Sequence, residues 1–143
     1  MNISKTCLIF AIVALFSFPA FAKPATSNYE DALFSVTVFF SEADSAITEE
    51  SAQYLDDLAA MIELFPENKV TIEGHADSRA YTKGNLKLSQ ERAKAVYDYL
   101  AAKGLPKERM ILRGWSDTKP SENNDTDYGK SKNRRVEIIV LGN

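Results

Sequence analysis

Strand-like and helix-like segments alternate along this chain, and that alternation is the strongest constraint on its fold. Four runs rich in β-branched and aromatic residues predict β-strands at residues 35–40, 69–74, 110–115 and 135–141. Helical patterns separate the first run from the second and the second from the third. A helix that crosses between two strands favours parallel pairing of some neighbouring strands, with right-handed crossovers.

Each predicted helix carries one apolar stripe. Thr48 is a candidate N-cap for the first helix, which Pro66 ends, and its stripe consists of Leu55, Leu58, Ala59 and Ile62. The second helix begins between Asn85 and Ser89 and ends near Gly104, and its stripe consists of Ala93, Val96, Tyr97 and Leu100. If both stripes cover one face of the sheet, the fold is an α/β (α+β) two-layer sandwich with a mixed four-stranded sheet.

The segment 116–133, between the last two strands, has no apolar periodicity and is predicted to be a loop. A loop of this length inside a compact domain is usually functional or mobile. The fold predicted from these patterns does not by itself indicate a function, because one fold can carry many unrelated activities.

The first 22 residues have the organisation of a secretory signal peptide. Lys5 precedes an apolar run, and the triplet Ala20-Phe21-Ala22 is a typical cleavage site. We therefore expect a signal peptide at 1–22, a short tether at 23–34 and one domain at 35–143. The alternative is an uncleaved membrane anchor, although the apolar segment is short for a spanning helix.

The composition disfavours catalysis, metal binding and nucleic-acid binding. Cys7 is the one cysteine and lies in the predicted leader, so the mature chain has no thiolate and no disulfide. His75 is the one histidine, no Gly-x-Ser-x-Gly motif occurs, and a zinc site with a single imidazole is unusual. The net charge of −3 disfavours nucleic-acid binding, because that binding depends on basic residues that neutralise phosphates. We expect no enzyme, metal or cofactor, and interpret His75 as a residue that hydrogen-bonds and orients its loop.

Several spaced motifs resemble the OmpA-like peptidoglycan-binding domain. They are "VTIEGHADSRAYTKGNLKLSQERA", with Gly74, Asp77, Asn85 and Arg92, then "RMILRGWSDTKP", then "NRRVE" at the last strand. The resemblance spans about residues 36–140. It implies non-covalent binding of peptidoglycan through the meso-diaminopimelate of its stem peptide, in the periplasm and at the cell wall. An outer-membrane or envelope-complex protein is a second partner that this family relationship suggests.

The resemblance implies that Asp77 and Arg92 bind the diaminopimelate. The free end of this amino acid is a zwitterion, so Asp77 would take the ammonium and Arg92 the carboxylate. If Ser89 caps the helix, Arg92 lies in its first turn, where a positive charge is unfavourable because of the helix dipole. A bound carboxylate would relieve this unfavourable interaction. The alternative is a structural ion pair between Asp77 and Arg92 that only fastens the loop to the helix.

Further residues are predicted to line the pocket or support it: Ser41, Asn85, Leu88 and Arg135. Capping of the helix is the other role open to Asn85, and strand alternation sends Arg134 and Arg135 to opposite faces. Tyr81 and Trp115 are candidates for a glycan-facing surface or for partial burial in the core.

Three features depart from the family pattern. Thr usually stands where this chain has Ala76, Gly where it has Ala80, and an Asp-rich turn where it has Ser41 and Glu42. All three put the rim of the pocket in question. The alternative function is an interaction domain of the same fold in an envelope complex, such as a secretion or flagellar machine, without a working pocket.

Overall fold

The computed structural model describes residues 29–78 and 82–142. The predicted signal peptide and the first half of the predicted tether, residues 23–28, lie outside these residues. The described strands are β1 (Ala32–Phe39), β2 (Val70–Gly74), β3 (Met110–Gly114) and β4 (Arg135–Leu141). The described helices are α1 (Glu49–Glu63), α2 (Thr82–Ala102) and α3 (Asp127–Asn133), with a short 3₁₀ turn at Lys107–Arg109.

The described strands form one mixed sheet in the order β1-β4-β2-β3. β2 and β3 are parallel, and α2 connects them. β4 runs antiparallel to both of its neighbours, β1 and β2. The predicted two-layer architecture with a mixed sheet is therefore confirmed. β1 begins at Ala32, so residues 32–34, which we assigned to the tether, belong to the sheet.

Both predicted apolar stripes are buried in one core. The fully buried members include Leu55, Leu58 and Ile62 of α1 and Val96 and Leu100 of α2. They pack in one cluster with alternate residues of the central strands, namely Val70, Ile72, Val136, Ile138 and Val140. This burial of one face of each element is what stabilises the domain. No helix in the described residues is long and apolar enough to span a membrane.

The predicted start of the second helix was wrong. α2 begins at Thr82, so Asn85 and Ser89 lie inside the helix rather than at its N-cap. Both are buried, and the Ser89 hydroxyl donates to the carbonyl of Leu86 and accepts from the backbone N–H of Ser116. The Ser89 side chain, which the sequence pattern predicted as a helix cap, thus makes a tertiary contact inside the helix. Arg92 consequently lies well beyond the first turn of α2.

The segment 116–133 is not simply a loop, because α3 occupies its last seven residues. Thr126 caps α3 by accepting from the backbone N–H of Gly129 at 3.0 Å. Asn133, fully buried, binds the preceding chain: its Oδ1 accepts from the N–H groups of Ser121 and Glu122, and its Nδ2 donates to the Glu122 carbonyl. These bonds fasten the segment beside the start of β4.

Candidate functional site

Three connecting segments meet beyond the end of β2, at one end of the sheet. The backbone N–H of His75 donates to the carbonyl of Arg135 at 2.8 Å, and that of Ala76 donates to Ser116 at the same distance. The N–H of Phe40, after β1, donates to the carbonyl of Arg134 at 2.9 Å. These bonds hold the segment after β1 against the residue before β4, and the segment after β2 against the first residue of β4 and the segment after β3. We call the residues 40–44, 75–78 and 134 the loop floor.

Arg92 reaches this loop floor from α2 and is fully buried. Its Nε donates to the carbonyl of Asp44 at 2.8 Å, its Nη1 to that of His75 at 3.1 Å, and its Nη2 to that of Ser41 at 2.9 Å. The guanidinium carbon also lies 5.5 Å from the centroid of the Phe40 ring. One cation from α2 therefore holds the segments after β1 and β2 together.

Asp77 is also buried, at 1% exposure, and forms an ion pair with Arg134. Arg134 Nη1 lies 3.2 Å from Asp77 Oδ2, and Arg134 Nε donates to the carbonyl of Phe40 at 3.2 Å. The Arg134 side chain is 16% exposed, so it lies between the buried carboxylate and the solvent. A buried carboxylate needs such a compensating cation. Asp77 and Arg134 thus form an ion pair within the loop floor, and Arg92 contacts the loop floor from α2.

Sequence reasoning missed Arg134 as a contact of Asp77. The motif "NRRVE" drew attention to the pair of arginines, but alternation along a strand could not decide which of them faces the site. Arg134 precedes β4 and has φ −77° and ψ 80°, outside strand geometry. Arg135, the predicted supporting residue, is buried and donates to Glu137 Oε1 at 2.7 Å and to the carbonyl of Lys119.

The other predicted pocket residues differ in their relation to the loop floor. Ser41 contributes its backbone carbonyl to Arg92. Asn85 is buried in the first turn of α2, and Leu88 is half-buried one turn later. Ala76 is buried behind Asp77, whereas Ala80 and Tyr81 lie outside the described residues.

A cavity of about 370 Å³ opens beside Arg134. The described residues of its lining are two acids and two bases: Glu42, Asp127, Lys130 and Arg134. A wall with both signs of charge suits a ligand that also carries both signs. Among the described residues no group of His, Cys, Asp and Glu side chains could hold a metal ion. We call this space the charged cavity.

The imidazole of His75 does not orient the loop as predicted. Its side chain is 1% exposed, and neither ring nitrogen has a hydrogen-bond partner among the described residues. The backbone of His75 holds the loop instead: its N–H donates to the carbonyl of Arg135, and its carbonyl accepts from the side chain of Arg92. Burial, and then the positive charges of Arg135 and Lys119, lower the pKa of His75 to about 3. The ring is therefore neutral at ordinary pH.

We expect His75 to make the domain sensitive to mild acid. The folded-state pKa of about 3 is below the ordinary value of 6.5, so stability is complete above pH 6.5 and falls as the pH drops toward 3. Between pH 7 and pH 5 the free energy of unfolding should decrease by about 2 kcal/mol, at 1.36 kcal/mol per pH unit. Urea unfolding at both pH values measures this decrease. In His75→Gln, whose side chain cannot titrate, the free energy of unfolding should change much less between the two pH values. An equal decrease in both proteins would contradict it.

Comparison with known proteins now decides the family. The OmpA family profile matches residues 39–134. The chain belongs to the OmpA family. A peptidoglycan-associated lipoprotein of Brucella melitensis is 36% identical over 105 residues, which cover 73% of this chain and 62% of that protein. The peptidoglycan-binding protein ArfA of Mycobacterium tuberculosis is 32% identical over 122 residues, covering 83% of this chain and 37% of ArfA.

Solved structures of the OmpA family agree with the fold described above. The cell wall anchor of the type VI secretion system from Pseudomonas aeruginosa has 33% identity and a TM-score of 0.66, over 76% of this chain and 81% of that one. The peptidoglycan-associated lipoprotein of Burkholderia pseudomallei superposes with a TM-score of 0.70 at 24% identity, over 73% and 89% of the two chains. At that identity the likeness concerns the fold alone. The chain spans 62% or less of the lengths of the two curated relatives described above.

Proposed function

We propose that this OmpA-family domain binds peptidoglycan without covalent chemistry, through the meso-diaminopimelate of the stem peptide, and so attaches to the cell wall in the periplasm. The observation that carries the proposal is the ion pair between buried Asp77 and partly exposed Arg134 at the edge of the charged cavity. The relatives named as peptidoglycan-associated and peptidoglycan-binding proteins support the ligand class. The predicted absence of hydrolysis is part of the proposal, since His75 is buried and neutral.

Binding would proceed as an exchange of ion pairs. The free end of diaminopimelate carries an ammonium beside a carboxylate. The ammonium takes the place of Arg134 on Asp77, and the guanidinium released turns to the carboxylate of the same ligand. Each charge keeps an opposite partner throughout, so the exchange leaves no buried charge uncompensated. The planar guanidinium can bind the carboxylate through two parallel hydrogen bonds.

Arg92 remains the carboxylate ligand that sequence alone predicts. Because it is fully buried and donates to three carbonyls among the described residues, we propose instead that it holds the loop floor in place. Arg134 then makes the direct contact, since a ligand entering from solvent reaches it first. Glu42, Asp127 and Lys130 offer further charges to the rest of the stem.

We expect Asp77→Asn to weaken binding of a diaminopimelate stem peptide by about ten- to a hundredfold. A charge-assisted hydrogen bond contributes about 1.5–3 kcal/mol, and each 1.4 kcal/mol is a factor of ten in affinity. Asparagine has nearly the same shape but no charge for the ammonium. Amidating the diaminopimelate carboxylate should weaken binding to the wild type, and hardly change binding to Arg134→Gln. Calorimetry with native and amidated stems measures both effects.

Asp57→Asn, on an exposed position of α1, is the matched control and should bind like the wild type. Circular dichroism of each variant checks that the domain is folded. If amidation affects Arg134→Gln as strongly as the wild type but leaves Arg92→Lys unaffected, the carboxylate belongs to Arg92. If the folded wild type binds neither the stem nor purified sacculi, the domain is instead an interaction module of an envelope complex without a working pocket.

A further inference from the structure

A second cavity lies along β1, the strand at one edge of the sheet, and Arg134 borders it as well as the charged cavity. Its volume is about 490 Å³. Its walls come from the second half of β1 and the two residues after it, from the start of α1, and from the end of α3 with Arg134. We call it the β1 groove.

The side chains of the β1 groove combine aromatic rings with hydroxyl groups. Phe39 and Tyr54 are 45% and 38% exposed, although rings of this size are usually buried. The serine and threonine residues around them, within the described lining, are Thr37, Ser41, Thr48, Ser51 and Ser131. The groove is thus far less charged than its neighbour, with Glu50 and Lys132 as the charged residues besides Arg134 in its described lining.

Local contacts hold these side chains in place without ligand. Thr48 caps α1, since its Oγ1 accepts from the N–H of Ser51 at 3.2 Å and donates to the Ser51 hydroxyl at 3.0 Å. Lys132 Nζ lies 4.8 Å from the centroid of the Phe39 ring and 5.4 Å from that of Tyr128. The Phe39 ring and the hydroxyls of Thr48 and Ser51 are therefore held in place before a ligand binds, which lowers the entropy cost of binding.

We propose that the β1 groove binds the amino-sugar glycan of the same peptidoglycan molecule whose stem occupies the charged cavity. A sugar ring offers an apolar C–H face to an aromatic ring and hydroxyl and amide groups to its surroundings, which matches this lining. Trp115, a candidate for this role from sequence, is not among the described residues that line the β1 groove.

The position of the β1 groove also fits one continuous ligand. Two amino-acid residues separate the sugar from diaminopimelate in the stem, so these two parts of one ligand occupy separate places about 7 Å or more apart. Because Arg134 borders both spaces, a ligand held at Arg134 by its diaminopimelate has its sugar within reach of Tyr54 and Phe39. This inference rests on the proposed function, and it adds the glycan as a second recognised part.

The test compares a free stem peptide with the same stem attached to its disaccharide, by calorimetry on the full mature chain. Wild type should bind the disaccharide ligand about tenfold more tightly, since aromatic packing contributes about one factor of ten. Tyr54→Ala should lose most of that advantage while its affinity for the free stem is unchanged. Alanine suits the interior of α1, so the variant should remain folded.

Two controls separate the ring from other effects. Tyr54→Phe keeps the ring and should keep most of the advantage, and Leu64→Ala, exposed at the other end of α1, should keep all of it. Equal affinity of the wild type for both ligands would overturn the inference and favour an extended peptide paired with the edge of β1 as the occupant. Failure of the free stem to bind would overturn the proposed function itself.

Discussion

Arg92→Ala should destabilise the folded domain by about 4 kcal/mol or more. The guanidinium of Arg92 is fully buried and donates to the carbonyls of Ser41, Asp44 and His75. Without it these acceptors lose a partner, and each buried group left unsatisfied costs about 1–3 kcal/mol. The side chain also fills space beside Phe40, so its removal opens a cavity as well. Urea unfolding followed by circular dichroism measures the loss.

Arg113→Ala is the matched control, because Arg113 lies exposed on β3 and donates to the hydroxyl of Tyr29. It should change the free energy of unfolding by about 0.5 kcal/mol or less. Arg92→Lys keeps a cation but not the planar fork, so we expect an intermediate loss. If Arg92→Ala is as stable as Arg113→Ala, then Arg92 does not hold the loop floor. A direct contact with the ligand then becomes the better interpretation of its role.

Gly74→Ala should also destabilise the domain, by about 3 kcal/mol. A Cβ on Gly74 would lie 1.9 Å from the carbonyl oxygen of Ser89 and 2.9 Å from its carbonyl carbon. Both atoms are backbone of α2, which cannot turn aside as a flexible side chain could, so strand and helix must separate. Because Asp77 lies three residues beyond the end of β2 and Arg92 belongs to α2, the same separation should weaken stem binding.

Gly104→Ala provides the comparison for Gly74. Gly104 has φ +100° and open space around its Cβ position, so alanine meets backbone strain there without a clash. We expect a loss of about 1 kcal/mol, the usual cost of that conformation for a residue with a side chain. A loss at Gly74 no larger than this would show that α2 can move away from β2 with little cost. Equilibrium unfolding of both variants decides between the two.

The fold was predictable where burial of apolar side chains determines the structure. β4 coincides with its predicted range, and the stripes of α1 and α2 are buried as expected. α3 was not predictable, because it has seven residues, no buried apolar stripe and a central Gly129. That glycine is required by tertiary contact, since a Cβ there would lie 1.7 Å from the carbonyl oxygen of Asn123. No local pattern reports such a contact.

The site was predictable to a lesser degree. Motif spacing brought Asp77 and Arg92 to attention, and the structure places both at the loop floor. Their roles as ligands stay predictions. The ion pair of Arg134 with Asp77 could not be predicted from the sequence. The orientation of the Arg134 side chain depends on the backbone conformation just before β4, which is not that of a strand. Asn85 and Ser89 misled for a related reason, since a residue suited to a helix cap is equally suited to a buried polar contact.

The order of strands in the sheet has a consequence for when the proposed attachment to the wall could begin. β4 is the last of the described strands to be synthesised, yet it lies between β1 and β2. In the described part of the chain, β1 pairs with β4 alone, and Arg134 immediately precedes β4. Most strand pairings therefore join residues that are far apart in the chain, and pairings of this kind form slowly during folding. A nascent or truncated chain that lacks residues 134–141 has neither the complete sheet nor the cation opposite Asp77, so under the proposed function it could not bind the wall.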